Sequence, residues 1–215
     1  MQNELDIVTN NYTVYHLHSD LSNGVTNIDS VTKYHEYIER AKECGMTALG
    51  FSEHGNIFEW WHKKKSIESA GMKYIHASEF YITETLDEKI RDNYHVILIA
   101  KNGDGMRELN RLATMSFNRD DNHFYYVPRI SIDELISTSS NIIITTACLG
   151  GILHKGNEDI KDKFLEFCSA NKDRCFLEIQ HHCVQDQIHY NKYLLALSKR
   201  YDIPLLPGTA THPPH

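Results

Sequence analysis

The sequence predicts an α/β fold, either a barrel or an open sheet, with seven strands separated by helices. Short apolar segments alternate along the chain with segments whose apolar residues recur at helical spacing, and this alternation is typical of strand–helix repeats. Several strand segments are apolar without interruption, including residues 96–100 and 142–144. Uninterrupted apolar strands are typical of a parallel sheet that helices cover on its faces.

The predicted elements follow one another in a regular order. We predict strands at residues 13–17, 47–52, 74–83, 94–100, 141–146, 175–180 and 203–207. The first helix is expected to begin at Asp29 or Ser30, because either side chain can cap a helix, and to end before Gly45. Its apolar face is expected to hold Val31, Tyr34, Ile38 and Ala41. Further helices are predicted at residues 105–117, 160–169 and 185–200, and a short helix that includes Trp60 and Trp61 is expected after the second strand.

Composition and charge indicate a globular protein that cannot hold nucleic acid by charge alone. The 215 residues are 41% hydrophobic and 24% charged, and the net charge is −7 at neutral pH. The lysine run at residues 63–65 is expected to be a solvated helix face. No apolar run reaches the roughly 18 residues of a membrane span, and residues 1–4 lack the features of a signal peptide. We therefore expect a cytoplasmic protein with no membrane partner.

The ends of the predicted strands carry side chains that can bind metal ions or take part in catalysis. In α/β folds the active site lies where strands end and loops begin. His16 and His18 lie two residues apart on the first predicted strand, so both imidazoles point to the same side. The other strand ends also carry histidine, carboxylate or thiol groups, among them His54, Glu79, Cys148, Glu178 and His212.

These side-chain types predict a metal centre. Histidine, glutamate and cysteine are ligands for zinc, manganese or iron. Their number exceeds one tetrahedral shell, so we expect two or three divalent ions, which together would clamp a phosphoryl group. His95 begins its strand, which is the wrong end for a parallel barrel. We therefore favour an antiparallel fourth strand, which would return His95 to the site.

The ordered set of motifs resembles the polymerase and histidinol phosphatase (PHP) domain. The matching elements are H-x-H at residues 16–18, E-H-G at 53–55, the strand glutamate Glu79, then His95, Cys148 and a final A-T-H at 210–212. The segments HLHSDLSNG, GFSEHGN, TACLGG and LEIQH are most similar to the PHP domain at the N-terminus of bacterial DNA polymerase III alpha subunits, the C-family of polymerases. The resemblance covers nearly the whole chain from Tyr12.

This resemblance carries expectations about fold and cofactors. It implies a distorted seven-stranded (β/α)7 barrel of the PHP type, a single domain over residues 1–215 that can be a fragment of a longer polymerase chain. It implies two to three divalent metal ions, zinc, manganese or iron. The implied ligands are His16, His18, His54, Glu79, His95, Cys148 and His212. Glu79 is the implied bridge between two ions, because a carboxylate has two oxygens to share.

The resemblance also implies an activity. Active members hydrolyse phosphoesters, and in polymerases this can be 3′–5′ exonuclease proofreading, so a DNA 3′ end and the rest of a polymerase chain are the expected partners. Two alternatives stay open. The chain can be an inactive metal-binding module that supports a replicative polymerase, or a small-molecule phosphatase of the histidinol-phosphate type.

Two departures from the family pattern bear on activity. The family ends in Asp-x-His, but Ala210 occupies the aspartate position, so we expect weakened binding of at least one ion and depressed hydrolysis. The expected catalytic positions are His18, Glu79, His212 and Ala210. The loop after His18 offers only Asp20 or Asn23 where polymerase members supply an acidic ligand.

Four further side chains are expected near the centre without being ligands. Glu53 is expected to orient a neighbouring ligand through a hydrogen bond. Glu178 and Gln180 alternate with His182 on one face of the sixth strand, where we expect them behind the ligands or against the substrate.

Overall fold

The computed structural model describes residues 12–25, 28 and 30–208. Within these residues the strands are β1 (Ala48–Phe51), β2 (Lys73–Thr83), β3 (Tyr94–Ala100), β4 (Phe124–Tyr125), β5 (Val127–Ser131), β6 (Ile142–Thr145), β7 (Cys175–Gln180) and β8 (Leu205–Gly208). The α-helices are α1 (Tyr34–Glu43), α2 (Trp60–Ser69), α3 (Gly103–Ser116), α4 (Ile132–Ile136), α5 (Ile152–Lys155), α6 (Glu158–Ala170) and α7 (Gln185–Tyr201). A 3₁₀ helix, Asp20–Gly24, follows the H-x-H motif.

The strands form one curled sheet, which closes into a half-barrel. Their order is β4-β5-β2-β3-β6-β7-β8, and β1 pairs with the first part of β2. The strands β1 and β5 run parallel to β2, and β6, β7 and β8 run parallel to one another. The fold is therefore the mixed α/β architecture expected from the sequence.

The strand β3 runs antiparallel to both of its neighbours, β2 and β6. This confirms the prediction of a reversed fourth strand. The register places His95 opposite Tyr81 and Ile97 opposite Glu79. The reversal therefore brings the beginning of β3 to the C-terminal half of β2, where the predicted ligands lie.

The long strand β2 is buried on both faces, and its two faces have different partners. Phe80 and Ile82 belong to the main apolar core, which includes Phe164 of α6. Ala77 instead packs in a small cluster with Ile97 inside the half-barrel. Because side chains alternate along a strand, Glu79 shares the interior face with Ala77. A carboxylate is thus held inside the half-barrel, on the same face of the strand as an apolar cluster.

The first predicted strand is present only as two isolated pairings with β1. The backbone N–H of Gly50 donates to the carbonyl of Val14, and that of Ser52 to the carbonyl of Leu17, both at 2.9 Å. The chain bends at His16 between these pairings, which interrupts regular strand geometry. The other six predicted strands are confirmed. The strands β4 and β5 were not predicted, because Val127–Ser131 is short and contains a proline.

Two local predictions were wrong. The first helix begins at Tyr34 rather than near residue 30, because the Glu36 side chain accepts from the backbone N–H of Lys33, and Val31 is exposed. The lysine run is not wholly a solvated face. Lys63 is buried with 2% exposure and its ammonium lies 2.6 Å from the carboxylate of Glu53. The Lys63 ammonium is therefore paired with a carboxylate inside the protein.

Among the described residues, no helix combines the length and apolar character that crossing a membrane requires.

Candidate metal centre

The carboxylate of Glu79 lies at the centre of four imidazoles. Its Oε2 lies 3.0 Å from Nε2 of His16 and 3.7 Å from Nε2 of His18. Its Oε1 lies 3.0 Å from Nδ1 of His54 and 2.6 Å from Nδ1 of His95. Each carboxylate oxygen therefore faces its own pair of ring nitrogens.

These contacts define two groups that share one carboxylate. The first group is His16, His18 and Glu79, and the second is His54, Glu79 and His95, with the donor atoms of each group within 4.8 Å of one another. Two ligands of a tetrahedral zinc ion bound at about 2.05 Å lie about 3.3 Å apart. Most of the observed separations are close to that value. The two groups have the spacing of two adjacent metal sites.

The local backbone explains why these side chains converge. A bridge between His54 and Glu79 joins the loop after β1 to the middle of β2, with the N–H of Gly55 donating to the carbonyl of Glu79 at 2.7 Å. His95 is joined in the same way to Gly151, in the loop after β6. These pairings place the loops after β1 and β6 beside Glu79.

His16 is oriented by a second buried carboxylate. Its Nδ1 donates to Oε1 of Glu178 at 2.6 Å, and Glu178 also accepts from Thr145 at 2.7 Å and from the Gln180 amide at 2.8 Å. Both Glu178 and His16 are almost fully buried. In the neutral ring that would bind a metal ion, Nδ1 carries the proton and Nε2 presents its lone pair toward Glu79.

Nδ1 of His18 is linked to the carboxylate of Glu53 through a serine. Its Nδ1 lies 3.3 Å from the hydroxyl of Ser22, which donates to Oε2 of Glu53 at 2.5 Å. The same hydroxyl accepts from the backbone N–H of His54 at 3.1 Å. Glu53 therefore acts near the centre as expected, although Ser22 stands between it and the ligand.

Cys148 lies beside His95 at the edge of the second group. Its Sγ is 3.5 Å from Nδ1 of His95 and accepts from the backbone N–H of Gly150 at 3.3 Å. A Cβ on Gly150 would lie 2.5 Å from that same Nδ1, so the imidazole occupies space that a larger residue would fill. Ala147, just before the cysteine, has a φ of 54°, an unfavourable value for alanine that marks a sharply turned loop.

The buried charges in the centre are mutually dependent. Burial would raise the pKa of Glu79, but the nearby His95, His54 and His16 hold it well below its usual value. Burial likewise would raise the pKa of Glu178, which His16, Gln180 and Thr145 lower instead. Burial would lower the pKa of His16, yet Glu178 and Glu79 raise it to about 10. Burial, with Glu79, raises the pKa of the Cys148 thiol.

The donor set fits divalent metal ions. Neither oxygen of Glu79, nor Nε2 of His16, has a hydrogen-bond partner of good geometry, although all three atoms are buried. Buried polar atoms normally find such partners, and a cation between them satisfies the same atoms. Imidazole nitrogens with a shared carboxylate, and a thiol at the edge, are a donor set that suits zinc, manganese or iron.

The structure brings five of the seven expected ligands together, the Glu79 carboxylate and four imidazoles around it, and places Cys148 next to them. His212 and the Ala210 position lie outside the described residues. The side chain of Asn23 forms hydrogen bonds with the backbone of Ser30. His182 lies exposed beyond the end of β7, whereas Glu178 and Gln180 are buried behind His16.

Sequence reasoning did not find two residues of the centre, Ser22 and Lys63. A serine in a loop and a lysine in a run of three lysines carry no motif signal. The signal that the sequence offered is the position of Lys63 four residues before the apolar Ile67, which the structure shows buried beside it on α2. That spacing puts both residues on one helix face.

Comparison with known proteins agrees with this geometry. Residues 15–182 match the family model of the PHP domain. The chain belongs to the PHP domain family. It is 34% identical over 208 residues to the DNA polymerase III subunit alpha of Borreliella burgdorferi and 31% identical over 217 residues to that of Aquifex aeolicus. Each match covers 92% of this chain but only 18% of the relative, so the PHP chain spans under a fifth of these polymerase subunits.

Solved structures support the fold. A protein from Bifidobacterium adolescentis assigned as a metal-dependent phosphoesterase superposes with a TM-score of 0.60 at 11% identity, covering 94% of this chain and 87% of that one. An amidohydrolase from Chromobacterium violaceum gives a TM-score of 0.56 at 11% identity, covering 93% and 86%. At such low identity the likeness concerns the PHP-type fold alone.

Proposed function

We propose that this PHP domain is a metal-dependent phosphoesterase that hydrolyses phosphodiester bonds at a DNA 3′ end, as the proofreading 3′–5′ exonuclease of a DNA polymerase III alpha-like chain. One observation carries the proposal: each oxygen of Glu79 faces a separate pair of imidazoles. The relationship to polymerase subunits supports DNA as the substrate and the rest of a polymerase chain as the partner.

The proposed ligands divide between two ions. His16 and His18 would hold one ion through Nε2, while His54 and His95 would hold the other, with Glu79 shared. Cys148 adds a thiol to the second group, and His212 remains a predicted ligand. The ions, which we expect to be zinc, manganese or iron and to number two to three, would lower the pKa of a bound water toward 7 and neutralise charge on the phosphoryl group.

The chain's own residues orient the proposed ligands. Glu178 holds the proton of His16 on Nδ1, so that Nε2 faces the ion. Both nitrogens of His18 are engaged in the same way, with Nδ1 on Ser22. In this proposal His18 is therefore a ligand, and its Nδ1 keeps its proton and donates it in a hydrogen bond to the Ser22 hydroxyl rather than passing it to a leaving group.

Ala210 supports a second candidate function. A methyl group cannot bind a metal ion, so the centre of this chain would lack one ligand of the Asp-x-His element. A domain whose metal centre lacks one ligand can still bind ions that hold its loops together. We infer that, if hydrolysis is absent, the domain acts as a metal-stabilised structural module beside a polymerase.

The test is a hydrolysis assay with two substrates and matched variants. A 5′-labelled oligonucleotide and a small phosphomonoester are incubated with the chain, with Ala210→Asp, with Glu79→Gln and with His189→Ala, an exposed histidine on α7 as the control. The proposal predicts stepwise shortening of the oligonucleotide, strongest for Ala210→Asp and abolished for Glu79→Gln. Turnover of the monoester alone would favour a phosphatase, and bound metal without turnover of either substrate, even in Ala210→Asp, would favour the structural module.

A further inference from the structure

We propose that Lys63, Glu53 and Ser22 form a positioning relay that fixes His18 as its Nδ1–H tautomer and so aims Nε2 at the metal centre. The relay rests on the proposed metal centre for its purpose, but its geometry is independent of any ion. None of the three side chains belongs to the two groups of proposed ligands.

The relay begins with a buried ion pair. Lys63 on α2 is 2% exposed, Glu53 is 1% exposed, and Nζ of Lys63 lies 2.6 Å from Oε1 of Glu53. Lys63 also lies 5.0 Å from the centre of the Phe51 ring, which fixes its position. A buried carboxylate is costly unless its charge is matched and its lone pairs are occupied. Lys63 provides the matching charge.

The remaining lone pairs of Glu53 are taken by donors from the loop after the H-x-H motif. The backbone N–H of Ser19 donates to Oε2 at 2.9 Å, and its hydroxyl donates to Oε1. The hydroxyl of Ser22 donates to Oε2 at 2.5 Å. An ionised carboxylate accepts about four hydrogen bonds, so Glu53 is saturated and has no lone pair left for an imidazole.

The proton inventory of Ser22 then settles the tautomer of His18. A hydroxyl has one proton and two lone pairs. The proton of Ser22 is committed to Glu53, so its lone pairs must accept from the N–H of His54 at 3.1 Å and from Nδ1 of His18 at 3.3 Å. His18 therefore carries its proton on Nδ1, and its Nε2 lone pair faces Oε2 of Glu79, 3.7 Å away.

The relay differs from the arrangement at the neighbouring ligand. His16 donates directly to the carboxylate of Glu178, whereas His18 donates to a hydroxyl that a carboxylate has polarised. The Ser22 hydroxyl also holds the backbone of His54, which belongs to the other group of ligands. One serine thus holds a ligand of each group, and its loss is expected to disturb both.

The test reads the tautomer directly, in protein freed of metal by a chelator. Long-range ¹H–¹⁵N correlation spectra of ¹⁵N-histidine-labelled protein, at a pH where His18 is neutral, distinguish Nδ1–H from Nε2–H. The parent is expected to show His18 as Nδ1–H, and an Nε2–H signal in the parent overturns the proposal without any variant. This readout does not require that metal binds, so a failed metal centre and a failed relay are separate results.

Two variants and a control complete the experiment. Ser22→Ala removes the relay but keeps the ion pair, and Glu53→Leu with Lys63→Met removes both charges together. Both are expected to populate the Nε2–H form of His18 and to weaken binding of Zn²⁺ by roughly 10- to 100-fold. Ser116→Ala, an equally buried serine that donates to the carbonyl of Ala113, is the control. Ser22→Ala with the tautomer and affinity of Ser116→Ala would refute the relay.

Discussion

Nδ1 of His16 lies 2.6 Å from Oε1 of Glu178, and this single contact determines which nitrogen the imidazole presents to Glu79. A carboxylate can only accept, so His16 must donate through Nδ1 and keep Nε2 for the metal centre. Glu178 is itself held by Thr145 and Gln180 from β6 and β7. His16, a proposed ligand near the beginning of the described residues, is thus oriented by side chains of β6 and β7.

We expect Glu178→Gln to weaken metal binding by about 10- to 100-fold, because the amide is a poorer acceptor for the imidazole proton. Competition with a chromogenic chelator measures the affinity. Glu108→Gln is the matched control, since Glu108 accepts from the backbone N–H of Ser139 at the surface, outside the candidate metal centre. Equal affinities for the two variants would contradict the role assigned to Glu178.

Gly150→Ala is expected to disable the second group of ligands. The added Cβ would lie 2.5 Å from Nδ1 of His95, so the imidazole must move away from Glu79. Metal analysis should show a loss of roughly one bound ion relative to the parent. Gly103→Ala is the control, because its Cβ would meet nothing closer than 3.7 Å. An unchanged ion count in Gly150→Ala would show that His95 is not a ligand.

The residues of the candidate site show which of its contacts could be predicted from the sequence. The H-x-H spacing and the histidines, glutamate and cysteine at strand ends were enough to predict which side chains converge, because the ends of neighbouring strands meet at one edge of a sheet. The reversal of β3 was also predictable, since only an antiparallel strand returns His95 to that edge. The Glu53–Ser22–His18 contacts were not predictable, because they depend on how a five-residue 3₁₀ helix folds against the loop after β1.

The pH dependence of stability in metal-free protein should follow His16. Its pKa is raised from 6.5 to about 10 by Glu178 and Glu79 against the effect of burial, so its contribution is fully present below pH 6.5 and is lost as pH rises toward 10. Stability should fall by up to about 1.4 kcal/mol per pH unit in that window. The lowered pKa values of Glu79 and Glu178 add a loss of stability as pH falls below 4.5.

Metal should reverse the trend above neutral pH. Ions compete with protons for the imidazoles, so metal affinity rises with pH and stabilises the loaded protein where the metal-free protein weakens. Thermal unfolding across pH 5 to 10, with chelator or with Zn²⁺, measures both curves. Asp121 and Glu134 raise the pKa of His123, so His123 changes the stability with pH in the same direction as His16. A His123→Gln background therefore isolates the contribution of the metal centre to the pH dependence. If the unfolding temperature changes with pH in the same way with chelator and with Zn²⁺, this would count against the proposed metal ligands.

Lys63→Met is expected to destabilise the fold by about 3–5 kcal/mol, because it leaves the carboxylate of Glu53 buried without its counter-charge. Adding Glu53→Gln should recover part of this loss, since the amide oxygen still accepts from Ser19 or Ser22 without carrying charge. Urea unfolding of the two variants measures the difference. Lys64→Met, in the exposed part of the same helix, is the control; Lys64 pairs with Glu68 at the surface. If Lys63→Met is as stable as Lys64→Met, the ion pair contributes little to the free energy of unfolding.

Anomalous diffraction from crystals grown with Zn²⁺ or Mn²⁺ tests whether Glu79 bridges two metal ions. We expect two peaks on opposite sides of the Glu79 carboxylate. One should lie within about 2.2 Å of Nε2 of His16 and His18, and the other within about 2.2 Å of Nδ1 of His54 and His95. Any third peak should lie next to these two. Peaks elsewhere on the molecule, or no peak between Glu79 and the four imidazoles in protein that binds metal in solution, would contradict it.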